Sequence, residues 1–320
     1  MTLVIGTDEA GYGPNLGPLV VAATAWLVDD GADEAPAIRL SRVNTIATVD
    51  GSAPWGDSKR LYQSGHGLAG LEAGVLAALA TGAPCMQGPA GSVPADGAHL
   101  AERLGIVAAD LVPEWPRFLA ARLPVAVAAE RLERLSAAVA AALAATHVRL
   151  AAVRCRVIQP AAFNALLAAG LNKSDILSGT TLALAAELRA AWDGEVAEVW
   201  CDRHGGRKAY AALVGHHFGA PLVRPLEEGA RVSRYEVPHA RLRIAFSVGG
   251  EEQVPVALAS MTAKYVRELA MTAFNAHWSG LQPGLAPSAG YPVDARRWWH
   301  EAAAAVRAAG FDADAIWRRS

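Results

Sequence analysis

The sequence alternates short apolar runs with longer amphipathic stretches, a pattern typical of an α/β protein. The apolar runs 2–7 and 19–28 predict two buried strands. We expect them to pair antiparallel across the turn-rich residues 8–14. A weaker run over 38–49 predicts a third strand. Further strands are predicted at 147–157, 198–202 and 241–248, and helices at 68–81, 129–146, 160–170, 178–192, 258–278 and 293–309.

The amino-acid composition excludes several classes of protein. With 52% hydrophobic and 19% charged residues, the chain can bury a sizeable core, which excludes wholesale disorder. No apolar run reaches the roughly 18 residues that a membrane span needs, and no basic region precedes the first apolar run. Three cysteines, Cys85, Cys155 and Cys201, are too few and too scattered for a disulfide framework or a zinc motif. We therefore expect no membrane association and a cytoplasmic location.

The net charge of −2 argues against a protein that coats nucleic acid without specificity. The charge is unevenly distributed, at −6 over residues 1–200 and +4 over residues 201–320. The second part is thus a candidate for a modest phosphate-facing patch, although a solvated surface accounts for the charge equally well.

The first candidate site residues are Asp8 and Glu9, which follow an apolar strand. Adjacent carboxylates in such a place are costly unless they are solvated, paired or bound to metal. Neighbours on a regular strand face opposite sides, so both reach one site only if the backbone turns there. Gly11 and Gly13 permit such a turn. The alternative is a solvated turn.

Two more carboxylates follow later in the chain. Asp202 ends a short apolar strand, and sites in open α/β sheets collect at strand ends. A turn or helix-capping role is its alternative. Lys264 and Glu268 lie four residues apart on one face of a helix that begins with small apolar residues. A surface ion pair is the ordinary interpretation of that spacing, but the apolar start indicates a helix packed against the core.

Several carboxylates without a Cys or His cluster favour Mg²⁺ or Mn²⁺ over zinc. Two such ions roughly 4 Å apart can activate water and stabilise the leaving oxygen in phosphodiester hydrolysis. Spacing alone establishes only that four carboxylates can meet.

The segment DEAGYGPNLGPLVVAA, at residues 8–23, resembles the N-terminal signature of type 2 ribonucleases H. The family's usual form is Asp-Glu-Ala-Gly-Arg-Gly-Pro, a short spacer and Gly-Pro-Val-Val-Ala-Ala. Further family-like elements follow in the family's order. They are Asp57-Ser58-Lys59-Arg60-Leu61, Leu171-Asn172 with the helix from Ser178, the strand-end Asp202, the helix segment ASMTAKYVRE at 259–268, and Gly290-Tyr291-Pro292.

The resemblance implies an RNase H-like α/β fold with a mixed five-stranded sheet flanked by helices. It implies one catalytic domain over 1–320, with a mostly helical insertion at 82–146 and a C-terminal helical element at 279–320. Within the insertion, the Gly- and Pro-rich residues 82–97 predict a loop. The implied activity is that of an endonuclease, and we expect the protein to be a monomer. It cleaves the RNA strand of RNA/DNA hybrids, or cleaves at ribonucleotides embedded in duplex DNA.

The resemblance also implies roles for individual residues. Two Mg²⁺ or Mn²⁺ ions would be held by Asp8, Glu9, Asp202 and Glu268. The ribose 2′-OH, which distinguishes RNA from DNA, would be met by the backbone of Gly11, Tyr12 and Gly13. Tyr291 would stack on a sugar, Lys59 would contact a phosphate, and Lys264 would support the site.

This sequence departs from the family pattern at several positions. Tyr12 replaces the family's Arg, which removes a cationic contact, and Glu268 replaces an Asp. Because Mg²⁺ demands near-ideal octahedral geometry, the extra methylene is expected to alter metal preference or rate. After Asp202, residues 203–208 read RHGGRK. We hypothesise that Arg203, Arg207 and Lys208 bind phosphate or that His204 assists proton transfer, the alternative being a basic surface turn. Residues 249–252 predict a hairpin turn, the alternative being a ligand role.

Two other functions stay open from the sequence. The changes at Tyr12 and Glu268 are consistent with a nucleic-acid-binding protein that keeps the fold and has weak or lost cleavage. Retention of all four carboxylates argues against it, because such a cluster without metal repels phosphate and itself. A nuclease acting on another structured nucleic acid is the second alternative, since fold does not fix function.

Overall fold

A computed structural model describes residues 1–29, 34–62, 67–81, 92–107, 112–192 and 195–319. Within these ranges the strands are β1 (Thr2–Ala10), β2 (Leu19–Val28), β3 (Val148–Ile158), β4 (Val196–Asp202), β5 (Arg224–Glu228), β6 (Val232–Val237) and β7 (Leu242–Ser247). The helices are α1 (Pro36–Ile46), α2 (Ser58–Leu61), α3 (Ala69–Thr81), α4 (Gly97–Leu104), α5 (Trp115–Leu119), α6 (Ala129–Thr146), α7 (Pro160–Ala168), α8 (Lys173–Ala190), α9 (Ala211–His217), α10 (Val254–Leu281), α11 (Pro292–Ala308) and α12 (Ala313–Ile316).

The strands form one mixed sheet in the order β3-β2-β1-β4-β7-β6-β5. The central strands β1, β4 and β7 run parallel to one another. The remaining neighbours pair antiparallel, with β2 and β3 on one side and β6 and β5 on the other. The carboxyl ends of the three central strands therefore lie at the same edge of the sheet, where sites in open sheets form.

Each face of the sheet is covered by its own hydrophobic cluster. Residues of α3, α6 and α10 pack on one face, and residues of α8 and α9 pack on the other. The start of α10 lies directly on β1 at Gly6, where an added Cβ would stand 2.2 Å from the carbonyl carbon of Pro255. The absence of a side chain at Gly6 thus sets how closely α10 approaches the sheet.

A third cluster joins the end of α10 to α11 and α12, around the buried Trp278 and Trp298. It fixes the residues that follow α12 against the rest of the molecule. In the part of the chain that the structure describes, no helix combines the length and apolar character that a bilayer crossing requires.

Most predicted elements are present, with boundaries shifted by a few residues. Three predictions are wrong. The third strand at 38–49 is the helix α1, which begins at Pro36 and buries Leu40 and Val43 at helical spacing. The sheet has seven strands rather than five, because it gains β5 and β6. Every residue of β5 is exposed, so that strand has no apolar pattern to detect.

The third wrong prediction is the hairpin at 249–252. That segment is a short 3₁₀ turn that leads from β7 into α10. Of the predicted loop at 82–97, residues 82–91 lie outside the described residues, and α4 begins at Gly97 behind an Asp96 cap. The segment 82–146 contains α4, α5 and α6, and α6 packs against α1 and α3.

A buried carboxylate ties the segment before α6 to α3 and α10. Glu72 is fully buried and accepts hydrogen bonds from the backbone N–H groups of Val125, Ala126 and Val127 at 2.6–2.8 Å. The Tyr265 hydroxyl of α10 donates to it as well, at 2.7 Å. A buried charge of this kind is tolerated because several donors surround it.

We expect Glu72→Gln to lower the free energy of unfolding by about 3 kcal/mol, because one amide oxygen cannot serve donors on both carboxylate oxygens. Tyr265→Phe, which removes one donor only, should cost about 1 kcal/mol. Urea denaturation of the two variants and the wild type measures both values. Equal losses would contradict the view that Glu72 organises the segment.

Candidate functional site

Two carboxylates meet where β1 and β4 end side by side. The last registered pair of the two strands is Thr7 with Cys201, and Asp8 and Asp202 follow it on the same face of the sheet. Asp8 is only 6% exposed. Asp202 is oriented by the backbone N–H of Gly250, which donates to its Oδ1 at 3.0 Å. Parallel pairing therefore places the two aspartates as neighbours.

Glu9 reaches the same place without a backbone turn. The prediction that the chain must turn at Asp8 and Glu9 is wrong, because β1 continues through both residues to Ala10. The turn comes afterwards, at Gly11, which has a φ of +85°. Glu9 lies near the end of β1 and lines the same pocket as Asp8. Its backbone N–H donates to Asp8 Oδ1 at 2.8 Å.

The pocket at this edge of the sheet has a volume of about 240 Å³. It contains all four carboxylates that the sequence singles out, one that it does not, and several of the predicted substrate contacts. Its lining includes Asp8, Glu9, Gly11, Lys59, Asp202, Glu251, Lys264, Glu268 and Tyr291. Four predicted substrate contacts, Tyr12, Gly13, Arg207 and Lys208, are not among the residues that line it.

Burial and mutual repulsion disfavour the charged forms of the strand-end carboxyls. Burial, followed by the charges of Glu9 and Asp202, raises the pKa of Asp8 well above its ordinary value. Burial and the charge of Asp202 raise the pKa of Glu9 to about 7. Burial also raises the pKa of Asp202. The exposed Lys59 offsets part of this cost for Glu9 and Asp202.

Glu268 lines the pocket but is engaged by other groups. The Tyr62 hydroxyl donates to its Oε2 at 2.9 Å, and Arg267 Nη1 lies 3.6 Å from its Oε1. Lys264, one turn earlier on α10, holds its Nζ 4.9 Å from the centre of the Tyr62 ring and donates to the Ser58 carbonyl at 3.3 Å. The structure therefore brings Asp8, Glu9 and Asp202 together and directs Glu268 toward Tyr62 and Arg267.

The strand-end carboxylates have the chemistry of a site for a hard divalent cation. Their donors are carboxylate oxygens, and Glu9 Oε2 is buried without a hydrogen-bond partner. Within the described ranges, no three or more His, Cys, Asp or Glu side chains are already arranged to hold a metal ion. A cation bound to Asp8, Glu9 and Asp202 would have to draw these side chains together, and it would relieve their repulsion.

Most of the basic side chains in residues 203–208 are buried or paired with other parts of the protein. Arg203 and His204 are buried, which is inconsistent with a basic surface turn at these two positions. His204 is 2% exposed, with its Nδ1 3.0 Å from Ser178 Oγ, a setting that favours packing over proton transfer. Arg207 is paired with Asp175, and Lys208 is exposed. Of the predicted phosphate contacts here, Lys208 is the one whose side chain faces solvent.

Two buried arginines, Arg318 and Arg267, contact the loop that follows β1. Arg318, 1% exposed, donates to the carbonyl oxygens of Gly11 and Pro14. Its backbone N–H donates to the Asn15 carbonyl at 2.7 Å, and the Asn15 side chain returns a bond to the Arg318 carbonyl at 2.9 Å. Arg267 Nη2 lies 3.5 Å from the Leu16 carbonyl oxygen of the loop and donates to the Ala289 carbonyl, beside Gly290, at 3.1 Å. These contacts fix the Gly11–Gly13 backbone relative to the carboxylates.

Tyr12 lies within this loop, and Tyr291 lies at the start of α11. Lys173 Nζ lies 5.5 Å from the centre of the Tyr12 ring, so a cation is present near the position where the family has an Arg. Tyr291 precedes α11 and is 57% exposed at the mouth of the pocket. Its neighbour Gly290 accepts hydrogen bonds from the backbone N–H groups of Asn15 and Leu16, which ties Tyr291 to the loop.

Sequence reasoning missed four residues of this region. The sequence predicts a hairpin turn at Glu251, with a ligand role as the alternative, and gives Tyr62, Arg267 and Arg318 no role. Arg267 stands beside Glu268 in the helix motif, so its position was an available signal. Tyr62, Glu251 and Arg318 reach the site through contacts between distant parts of the chain, which spacing along a sequence does not reveal.

No family model matches the chain, and no curated protein matches it. Among solved structures it is similar to the ribonuclease HII of Archaeoglobus fulgidus, solved in complex with PCNA. The two share 16% identity at a TM-score of 0.41, over 98% of this chain and 93% of that one.

The chain is also similar to the ribonuclease H2 of Pyrococcus horikoshii OT3, at 13% identity and a TM-score of 0.42, over 98% of this chain and 92% of that one. A third similar structure is Bst-RNase HIII in complex with Mn²⁺, at 14% identity and a TM-score of 0.44, over 99% of this chain and 66% of that one. At such identities the likeness assigns no activity to this chain.

From the raised pKa of Glu9 we predict how the free energy of unfolding of the metal-free protein depends on pH. A carboxyl whose folded pKa lies above its unfolded value favours the folded state at low pH, and that contribution is lost as pH rises through the folded pKa. In EDTA, we expect Glu9→Gln to become more stable relative to wild type by about 2 kcal/mol between pH 5 and pH 8. Urea denaturation at both pH values measures the change, and a pH-independent difference would contradict it.

The Arg318 contacts predict the local stability of the loop. Arg318→Met removes the donors to Gly11 and Pro14, so we expect amide hydrogen exchange over residues 11–16 to accelerate by about tenfold or more. Arg319→Met is the matched control, because Arg319 pairs on the surface with Asp314. Equal exchange in the two variants would show that Arg318 does not hold the loop.

Proposed function

We propose that this protein is a metal-dependent endoribonuclease of the type 2 ribonuclease H kind, acting on RNA/DNA hybrids or on ribonucleotides embedded in duplex DNA. The observation that carries the proposal is the group formed by Asp8, Glu9 and Asp202. Three buried or half-buried carboxyls repel one another at the ends of β1 and β4, and one of their oxygens is an unpartnered buried acceptor. Cation binding offsets that cost.

The residues that would hold Mg²⁺ or Mn²⁺ are Asp8, Glu9 and Asp202. Glu268 must exchange its hydrogen bond from Tyr62 before it can join them. The chemistry that a pair of such cations supplies is activation of a water and stabilisation of the leaving oxygen of a phosphodiester. The Gly250 N–H orients the Asp202 carboxylate through its hydrogen bond. The close packing of α10 on β1 positions Asp8.

The chain's own residues would orient the nucleic acid. The Gly11–Gly13 backbone lies beside the carboxylates on a loop fixed by Arg318, which supports its assignment to the ribose 2′-OH. The exposed Tyr291 ring is suited to stacking on a sugar, and the exposed Lys59 to contacting a phosphate. Lys264 is tied to Ser58 and Tyr62, and we assign it to support of the pocket wall.

We expect the purified protein to cleave a duplex with one embedded ribonucleotide in the presence of Mg²⁺ or Mn²⁺, and not the matched all-DNA duplex. Asp8→Asn should lower the cleavage rate by more than about 100-fold, because loss of a ligand should exceed the 10–100-fold effect of outer partners. Asp50→Asn, a surface carboxylate paired with Arg134, is the control and should cleave like wild type.

The outcomes separate the candidate functions. Cleavage of both duplexes would indicate a nuclease that does not read the 2′-OH. Binding of the ribonucleotide duplex without cleavage under either metal would contradict the proposal and favour a nucleic-acid-binding protein with lost activity.

A further inference from the structure

Lys173 stands beside the Gly11–Gly13 loop and has no part in the proposed metal site. It is the first residue of α8, and its side chain is half-buried. Its Nζ lies 5.5 Å from the centre of the Tyr12 ring, which places the ammonium against the residue between the two glycines. An aromatic ring attracts an ammonium but does not neutralise its charge.

The first turn of α8 is fixed by contacts on both sides of Lys173. Asn172 and Asp175 exchange hydrogen bonds, with the Asp175 N–H donating to Asn172 Oδ1 at 3.0 Å. Arg207 pairs with Asp175, and its Nε donates to Ser174 Oγ at 3.1 Å. The carboxylate two residues from Lys173 is therefore engaged by another cation, while the backbone that carries Lys173 is held in place.

The charge of Lys173 has no carboxylate partner among the residues that the structure describes. It lies instead within the field of Arg318, the buried guanidinium that donates to the Gly11 and Pro14 carbonyls. Burial, followed by the charge of Arg318, lowers the pKa of Lys173. Two cations thus repel each other beside the loop, and an anion bound there would offset the cost.

Tyr12 links the loop to the segment after Asp202 and presents Lys173 beside the loop backbone. Its ring packs at the margin of the hydrophobic cluster under α8 and α9, and an added Cβ at Gly205 would stand 3.8 Å from its hydroxyl. Ribose and phosphate alternate along a nucleic-acid strand. A cation next to peptide groups that meet a ribose is therefore placed to meet the adjoining phosphate.

We propose that Lys173, held over the Tyr12 ring, binds a phosphate of the nucleic-acid strand whose ribose meets the Gly11–Gly13 backbone. The inference rests on the proposed function and adds a contact from α8 to its site. Lys173 thereby supplies the cation that Tyr12 does not. Because a phosphate contact positions a strand without reading its sugar, Lys173 contributes equally to binding of ribonucleotide-containing and all-DNA duplexes.

The test is the salt dependence of duplex binding, measured by fluorescence anisotropy with the full-length protein and a labelled duplex that carries one ribonucleotide. All proteins carry Asp8→Asn, which slows cleavage so that the intact duplex is observed. We expect Lys173→Met to weaken binding about eightfold at about 0.1 M KCl, and to reduce the slope of log affinity against log salt by about 0.9, the value for one phosphate contact. The matched all-DNA duplex should lose the same factor. Arg131→Met, at an exposed position of α6, is the matched control and should bind like the parent.

Methionine keeps an apolar stem over the Tyr12 ring and removes the charge, so a role in packing alone would leave affinity and slope unchanged. Tyr12→Arg, added to Lys173→Met, returns a cation to the same loop. We expect it to restore affinity to within about threefold of the parent, whereas Tyr12→Met in the same background should not. Circular dichroism melting of each variant establishes that it is folded.

Unchanged affinity and slope in Lys173→Met would overturn the inference. So would a loss confined to the ribonucleotide duplex, or a failure of Tyr12→Arg to restore binding. If Lys173→Met binds like the parent while wild type cleaves the ribonucleotide duplex, only the assignment of Lys173 fails. If wild type neither binds nor cleaves that duplex, the proposed function fails and this assignment fails with it.

Discussion

One constraint shapes the site: three carboxylates, which repel one another when charged, lie close together at the carboxyl ends of the parallel strands β1 and β4. The register of β1 with β4 leads directly to Asp8 and Asp202, and Glu9 joins them at the strand end. Such an arrangement costs stability, as the raised pKa values of all three show. Proteins keep costly groups of this kind at functional sites, where a ligand compensates them. The surrounding elements hold the group in place.

The close approach of α10 to β1 has two consequences for this site. Contact at Gly6 brings the first turns of α10 against the strand ends, where Ser260 donates a hydrogen bond to Glu251. Further along the same helix, Arg267 contacts the Leu16 carbonyl of the loop after β1, and Glu268 accepts a hydrogen bond from Tyr62. One helix thus supplies contacts to the carboxylates, to the glycine loop and to the pocket wall, which makes its packing decisive for the chemistry.

The sequence predicted the parts of the fold that local patterns encode. The alternation at β3 and the long apolar run of β2 define strands without tertiary information. The exposed edge strand β5 and the helix α1 were not predicted correctly. The carboxylates were found because they follow strands or stand on a core helix. The surrounding residues Tyr62, Glu251 and Arg318 were not, since each is more than 50 residues from at least one of the groups it contacts.

The central claim is that the strand-end carboxylates of β1 and β4 bind divalent cations. The most direct test is anomalous diffraction from crystals of the protein soaked in Mn²⁺. We expect an anomalous peak between Asp8, Glu9 and Asp202, at about 2.0–2.3 Å from carboxylate oxygens of that group. An ordered crystal that shows no peak there at saturating Mn²⁺, or shows one only at surface carboxylates, would contradict it.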